Sequence, residues 1–185
     1  MYLLAGIGNK GQQFNKTRHN VGFLIIDEVI QRYGFDKQKI SLEADTYKGL
    51  ILNKKVMCIK PMTYMNNSGK AIAKLISFYK IPLKKTFVFH DDIDLSLSRV
   101  KIKLGGSSAG HNGIKSIDAQ IGKEYNRVRI GIKNSLKTIS AKNFVLQKFS
   151  EEEYTEINNK IDKLVKNINL LLEENFSNLL NILSN

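Results

Sequence analysis

Two apolar periods alternate along this chain, and that alternation restricts its fold more than any other feature. Stretches with apolar residues at every second position read as strands, and stretches with spacings of three and four read as helices. Strand patterns fall near 2–7, at TYKGLIL and VMCIKP on either side of Asn53, Lys54 and Lys55, and at TFVFH, RVKIKL and RVRIGI. Helix patterns fall at 21–33, near 68–79 and near 113–121. The alternation predicts an α/β fold, a single domain over 1–185 with a twisted mixed β-sheet and helices on both faces. TYKGLIL and VMCIKP are expected as a hairpin. C-terminal helices are expected from about residue 151, where Tyr154, Ile157, Ile161, Leu164, Ile168 and Leu171 read as one amphipathic helix with a solvated acidic face.

Composition bounds the partners. A chain of 185 residues with 42% hydrophobic content suits one compact core that needs no disulfide. The single cysteine, Cys58, alternates with Val56 in an apolar strand, so a buried structural thiol is expected. There is no hydrophobic run of membrane-spanning length and no charged-then-apolar leader, so the expectation is a cytoplasmic protein without a membrane partner. The net charge of +12 is uneven: residues 151–185 hold seven acids and three lysines, leaving 26 bases against 10 acids in residues 1–150. That surplus favours a polyanion, with nucleic acid first; lysine enrichment from overall composition is the plainer explanation.

Several local patterns carry chemistry, and each has a bland counterpart. GIGNKG, after the apolar run Tyr2 to Ala5, matches the G-x-G-x-x-G dinucleotide fingerprint at Gly6, Gly8 and Gly11. The fingerprint requires a helix at its last glycine and an acid about 20 residues on at a strand end. A polar stretch follows instead, and Asp27 and Glu28 fall inside a helix pattern. GGSSAG satisfies G-x-S-x-G at Gly106, Ser108 and Gly110, but the acid and histidine of an esterase triad do not follow it. His90, Asp91, Asp92 and Asp94 offer metal-ligand types, without a second cluster to complete a shell.

The three histidines each precede Asn or Asp, in RHN, HDD and GHN. In FVFHDD the side chains alternate, so only one of His90 and Asp91 is expected to share a site with His19. Asp91 at a strand end is placed to orient His19 and raise its basicity, making a water-activating dyad. The other reading makes the aspartates a turn. Asn9, Asn66 and Asn112 lie at strand-to-helix junctions, where their amides either hold a peptide and a developing oxyanion or cap helices. RVKIKL and RVRIGI each alternate basic and apolar residues. The two strands form a phosphate clamp if they are neighbours, and an ordinary solvated sheet face otherwise.

Taken together, GIGNKGQQFNKTRHNVGF, KPMTYMNNSG, FHDDIDL, KIKLGGSSAGHNGIKSI, RVRIGI and FVLQKFS, in this order and spacing, resemble the bacterial peptidyl-tRNA hydrolase family from residue 2 to about 150. The resemblance implies a monomeric α/β enzyme, without metal or cofactor, that cleaves the ester between a peptide and the 3′ ribose of tRNA. It implies His19 as the base activating water, Asp91 as its orienting partner, and Asn9 and Asn112 as groups positioning the peptide end and the water or oxyanion. Asn66, with Tyr64 and Met65, resembles the peptide-binding part of the family's crevice. Lys101, Lys103 and Arg129 match positions near the tRNA phosphates, and the segment 105–113 resembles a mobile gate. The chain departs from the family's usual pattern at Lys10, where proline is commoner, and at Lys133 and Asn134, where arginine and proline are commoner. Both departures bear on loop rigidity and tRNA affinity, not on the chemistry.

Overall fold

Seven strands form one sheet in a computed structural model that describes residues 1–39, 43–134 and 140–184. The elements in chain order are β1 (Tyr2–Gly6), α1 (Val21–Tyr33), β2 (Asp36–Lys37), β3 (Ala44–Ile51), β4 (Lys54–Pro61), α2 (Ser68–Tyr79), β5 (Thr86–Ser96) and β6 (Val100–Leu104). After these come α3 (Asn112–Ile121), β7 (Asn126–Lys133), α4 (Ala141–Val145), α5 (Glu151–Lys166), α6 (Ile168–Leu172) and α7 (Phe176–Ser184). The sheet order is β2-β3-β4-β1-β5-β7-β6. β1 runs parallel to β4 and β5, and β5 parallel to β7; β2, β3 and β4 pair antiparallel, as do β6 and β7. The mixed sheet and the 46–61 hairpin are as expected. β5 is longer than the TFVFH expectation, continuing through the aspartates to Ser96.

Strand alternation divides the core into two layers. Leu4, Cys58, Phe87 and Phe89 face one way and pack with Ile25 and Val29 of α1 and Ile161 and Leu164 of α5. Leu3, Ala5, Met57, Ile59 and Val88 face the other way and pack with Ile72 and Leu75 of α2 and Ile114 and Ile117 of α3. Because successive side chains of a strand point to opposite faces, near-continuous apolar runs in the central strands force helices onto both sides. Cys58 is fully buried, and burial pushes its thiol up, out of reach of the thiolate form.

The C-terminal segment departs from the single helix expected. α5 stops at Lys166 because Asn167 turns its backbone out of helical geometry and donates its side-chain amide back to the Lys163 carbonyl. The apolar spacing continues across the break into α6, so Ile168 and Leu171 stay buried although the helix does not persist. Its acids are not merely solvated. Asp162 pairs with Arg32 of α1, Glu173 with Lys54 of β4, and Glu156 accepts from Ser98 in the β5–β6 turn.

One close approach seats α1 on the sheet. A Cβ on Gly22 would lie 2.4 Å from the Phe89 carbonyl oxygen and 2.7 Å from the Ile7 backbone, and one on Gly6 would lie 2.1 Å from the Gly22 carbonyl. All of these neighbours are backbone, which cannot rotate away. Gly22→Ala should therefore push α1 off the ends of β1 and β5. The expected loss is about 1–3 kcal/mol of stability, the range for overpacked cores, read as a lower denaturant midpoint at unchanged slope. An unchanged midpoint would show that the contact is not tight.

Candidate active site

At the carboxyl ends of β1 and β5 lies a crevice of about 450 Å³. Open α/β sheets place their sites in this position, where the chain leaves parallel strands in loops. Asn9 and His19 form one wall, Tyr64 to Asn66 a second, Ser108 to Asn112 a third, and α4 with Leu146 a fourth; His90 to Asp94 make the floor.

Asp91 is the centre of the floor. Its carboxylate is 2% exposed and lies 2.9 Å from Nδ1 of His19 and 2.9 Å from Nε2 of His111. Burial alone would push this carboxyl up. The two neighbouring imidazoles, His19 first, outweigh burial and hold it well below the usual carboxylate range. An ionised carboxylate only accepts hydrogen bonds, so His19 presents Nδ1–H to it and His111 presents Nε2–H. His111 agrees from its other side: it is the N-cap of α3, and its Nδ1 accepts from the Gly113 and Ile114 backbone N–H groups at 3.1 and 3.3 Å. Neutral His19, with its proton on Nδ1, has an unprotonated Nε2 available at the crevice wall.

The same tautomers bear on two rival chemistries. The ligating atoms of His19, Asp91 and His111 lie within 4.8 Å of one another, close enough to consider a metal ion. Three such ligands are a usual set for a catalytic divalent ion. A metal on Nε2 of His111 would require that nitrogen's proton to move to Nδ1, which already faces two N–H donors from the end of α3. The residues present fit a proton-handling site, not a metal shell. Ser108 fares no better as a nucleophile, because both nitrogens of the nearby His111 are engaged.

The structure decides the aspartate alternatives residue by residue. Asp91, Asp92 and Asp94 all lie within β5, so the turn reading does not hold; Asp92 accepts from the Asp94 N–H at 2.9 Å inside the strand, and Asp91 faces the histidines. His90 and Asp91 follow the expected alternation, yet both line the crevice, because the crevice lies across the end of the sheet and is reached from either face. His90 donates from Nδ1 to the Asp91 carbonyl at 2.7 Å, and burial, followed by the proximity of His111, pushes its pKa down to about 3. His90 is a neutral structural group, and Asp91 is the one joined to His19.

The asparagines are not helix caps. Asn9 Oδ1 accepts from Met65 N–H at 2.9 Å, which commits the carbonyl end of the amide and leaves the NH2 end for a ligand in the crevice. Asn9 is itself held by Asn20, whose side chain accepts from Asn9 N–H at 2.8 Å and donates to Asn9 C=O at 2.9 Å. Asn66 and Asn112 are exposed on the crevice walls, in the 3-10 turn Met65–Asn67 and at the first residue of α3. Tyr64 is exposed at the rim with Lys10 Nζ 5.4 Å from its ring centre, and Met65 is buried beside it. Asn20 and the second imidazole, His111, were given no role by sequence reasoning. The RHN and GHN repeats flagged both neighbourhoods without saying which atoms meet.

β6 and β7 are neighbours, so the basic strands do come together, with Lys101 opposite Arg129 and Lys103 opposite Arg127. Arg127 must be removed from the clamp: it is buried, pairs with Asp118 at 2.8 Å and donates to the Ser107 carbonyl. Arg129 spends Nε on Asp92 at 2.6 Å, which joins the strip to the crevice floor. Lys101 and Lys103 are exposed.

A family model described as peptidyl-tRNA hydrolase matches residues 3–185. The chain is 43% identical over 185 residues to a peptidyl-tRNA hydrolase of Wolbachia sp. subsp. Drosophila simulans, covering 99% of this chain and 100% of that one. It is 43% identical over 176 residues to one of Rickettsia typhi, covering 94% of each. The crystal structure of peptidyl-tRNA hydrolase from Acinetobacter baumannii superposes with a TM-score of 0.91 at 29% identity, covering 99% of this chain and 94% of that one. No helix among the described residues is long and apolar enough to cross a membrane. The chain belongs to the peptidyl-tRNA hydrolase family.

Proposed function

We propose that this chain hydrolyses the ester between a peptide and the 3′ ribose of tRNA with water activated by His19. The observation that carries the reading is the His19–Asp91 contact, which holds the Nδ1–H of the imidazole on the carboxylate and leaves Nε2 as the atom turned to the crevice. A water beside Nε2 loses its proton to the ring as its oxygen attacks the ester carbonyl. The resulting imidazolium is stabilised by Asp91, which stays ionised. The ester C–O bond then breaks, and the 3′ oxygen of the ribose leaves with the proton from Nε2. The products are a free tRNA hydroxyl and a peptide carboxylic acid, which releases the second water proton to solvent as it ionises to the carboxylate.

The NH2 group of Asn9 is suited to the carbonyl oxygen as it gains charge, because Met65 has already turned the amide that way. Asn112 stands across the crevice for the peptide end or the water. Tyr64, Met65 and Asn66 form the wall for the peptide itself. Lys101, Lys103 and the free edge of Arg129 receive phosphates, at a distance from the ester set by the tRNA stem. The segment 105–113 acts as a gate, with Gly105, Gly106, Ala109 and Gly110 all at positive φ and Ser107 tethered to Arg127.

The test is turnover of an N-acetylated aminoacyl-tRNA in excess chelator. Wild type is expected to cleave it unimpaired, with His19→Ala and Asp91→Asn each lower by about 10²- to 10⁴-fold. Binding without cleavage by wild type would leave only an RNA-binding module. Loss of cleavage in chelator would restore the metal.

A second set of variants separates phosphate contacts from chemistry. Lys101→Ala and Lys103→Ala are expected to raise KM with kcat unchanged, and each to flatten the dependence of log affinity on log salt by about 0.7–0.9. A fall in kcat at unchanged salt slope would place these lysines somewhere other than on phosphate.

A further inference from the structure

Arg18 stands next to the base in sequence and is 3% exposed, yet its side chain reaches away from the crevice. Nη2 donates to both carboxylate oxygens of Glu153, at 2.8 and 2.6 Å, and Nη1 donates to the Lys148 carbonyl at 2.6 Å. The guanidinium stacks on Phe144 of α4 and on Phe149, at 4.5 and 5.2 Å from the ring centres. The backbone repeats the connection: Arg18 N–H donates to the Gln147 carbonyl, Phe149 N–H to the Lys16 carbonyl, and Thr17 bridges Lys148.

The far end is equally well founded. Glu153 closes a capping box with Ser150 at the start of α5, and it also accepts from Asn134. Burial would raise its carboxyl, but the Ser150 N–H, Asn134 and Arg18 hold it below the usual range. The acid is thus an ionised partner, fixed before Arg18 arrives.

Stability is a poor explanation for such a pair. Desolvating two charges offsets most of their attraction, and an apolar pair of the same shape fills the space as well. With Nη2 shared between both Glu153 oxygens and Nη1 held on the Lys148 carbonyl, the planar guanidinium is fixed at two points and supplies direction instead. Here the direction bears on a 3-10 turn of only three residues, Arg18–Asn20, whose middle member is His19. With so short a turn, movement of Arg18 passes to the imidazole without being absorbed.

We propose that Arg18 is a positioning residue, braced by Glu153 against α4 and α5, that keeps Nδ1 of His19 aligned on Asp91. The inference rests on His19 being the base. It assigns the acidic C-terminal helix a part in the reaction although none of its residues lines the crevice.

The experiment compares Arg18→Met, Arg18→Lys, Glu153→Gln and the Arg18→Met/Glu153→Gln double variant with wild type, using N-acetylated aminoacyl-tRNA at a temperature where each is folded by circular dichroism. Leu164→Ala, a buried change on α5 remote from the pair, controls for lost stability. Arg18→Met is expected to lose about 10- to 100-fold in kcat with KM held within about threefold, the scale of a reacting group displaced by an ångström or less. Arg18→Lys recovers part of the loss, and the double variant is no worse than the poorer single one. The downfield proton resonance of His19 Nδ1–H, sharp in wild type and in Leu164→Ala, broadens or moves upfield in Arg18→Met. A folded Arg18→Met within about twofold of wild-type kcat, or an equal kcat loss in Leu164→Ala, overturns the proposal. If Arg18→Met does not fold, Glu153→Gln is judged by the same criteria. Retained turnover in His19→Ala removes the base itself, whatever the Arg18 variants do.

Discussion

A buried carboxylate must be given donors, and Asp91 has two, both imidazoles. The rest of the site follows from that requirement. One imidazole arrives from the turn before α1, on the face of the sheet where Asp91 points; the other arrives from the N-cap of α3. Neither helix can withdraw without leaving a charge in a nearly dry place, which costs several kcal/mol where one partner of a buried pair is removed. The carboxylate thereby couples the two layers of the protein at the point where the strands end. It also fixes a proton on the nitrogen of each ring that faces it, since a group that can only accept leaves those two nitrogens one option.

This economy explains why Asn20 and Gly22 matter without touching a substrate. Gly22 lets α1 sit directly on β1 and β5, which brings the preceding turn to the height of Asp91. Asn20, two residues earlier, ties the same turn to the backbone of Asn9. His19 is thus held through Arg18 behind it, Asn20 ahead of it and Asp91 at its tip. Three consecutive residues of one short turn each face a different element, and the ring between them has little freedom left.

Much of this was readable from residue spacing. Apart from β2, whose two exposed residues Asp36 and Lys37 carry no period, the strands and helices through β7 show their periods plainly, because central strands buried on both faces and helices buried on one leave strong patterns. Alternation in FVFHDD limits His19 to one of His90 and Asp91 and leaves the aspartate turn open; it is the resemblance of the motifs to the family that favours Asp91. What spacing does not convey is which side chains are already spoken for. Arg127 and Arg129 have the same pattern in the sequence, but Asp118, on α3 nine residues before Arg127, takes that one of them out of the solvent. The break after α5 was hidden for a related reason: the apolar spacing runs through Asn167 unbroken, and only the asparagine's bond back to Lys163 ends the helix.

Charge segregation along the chain takes on a different meaning in the folded protein. A basic body and an acidic tail suggest a molecule with two oppositely charged ends. In three dimensions Glu153, Asp162 and Glu173 lie against Arg18, Arg32 and Lys54, so the acids neutralise the side of the domain that the C-terminal helices cover. Lys101 and Lys103 on the edge strand have no part in that arrangement and remain exposed. The ion pairs of the acidic helices therefore offset basic residues on the side they cover and leave Lys101 and Lys103 unpaired by them. Under the proposed function, this is the edge that tRNA phosphates would meet, and it leads through Arg129 and Asp92 to the floor where Asp91 holds its two imidazoles.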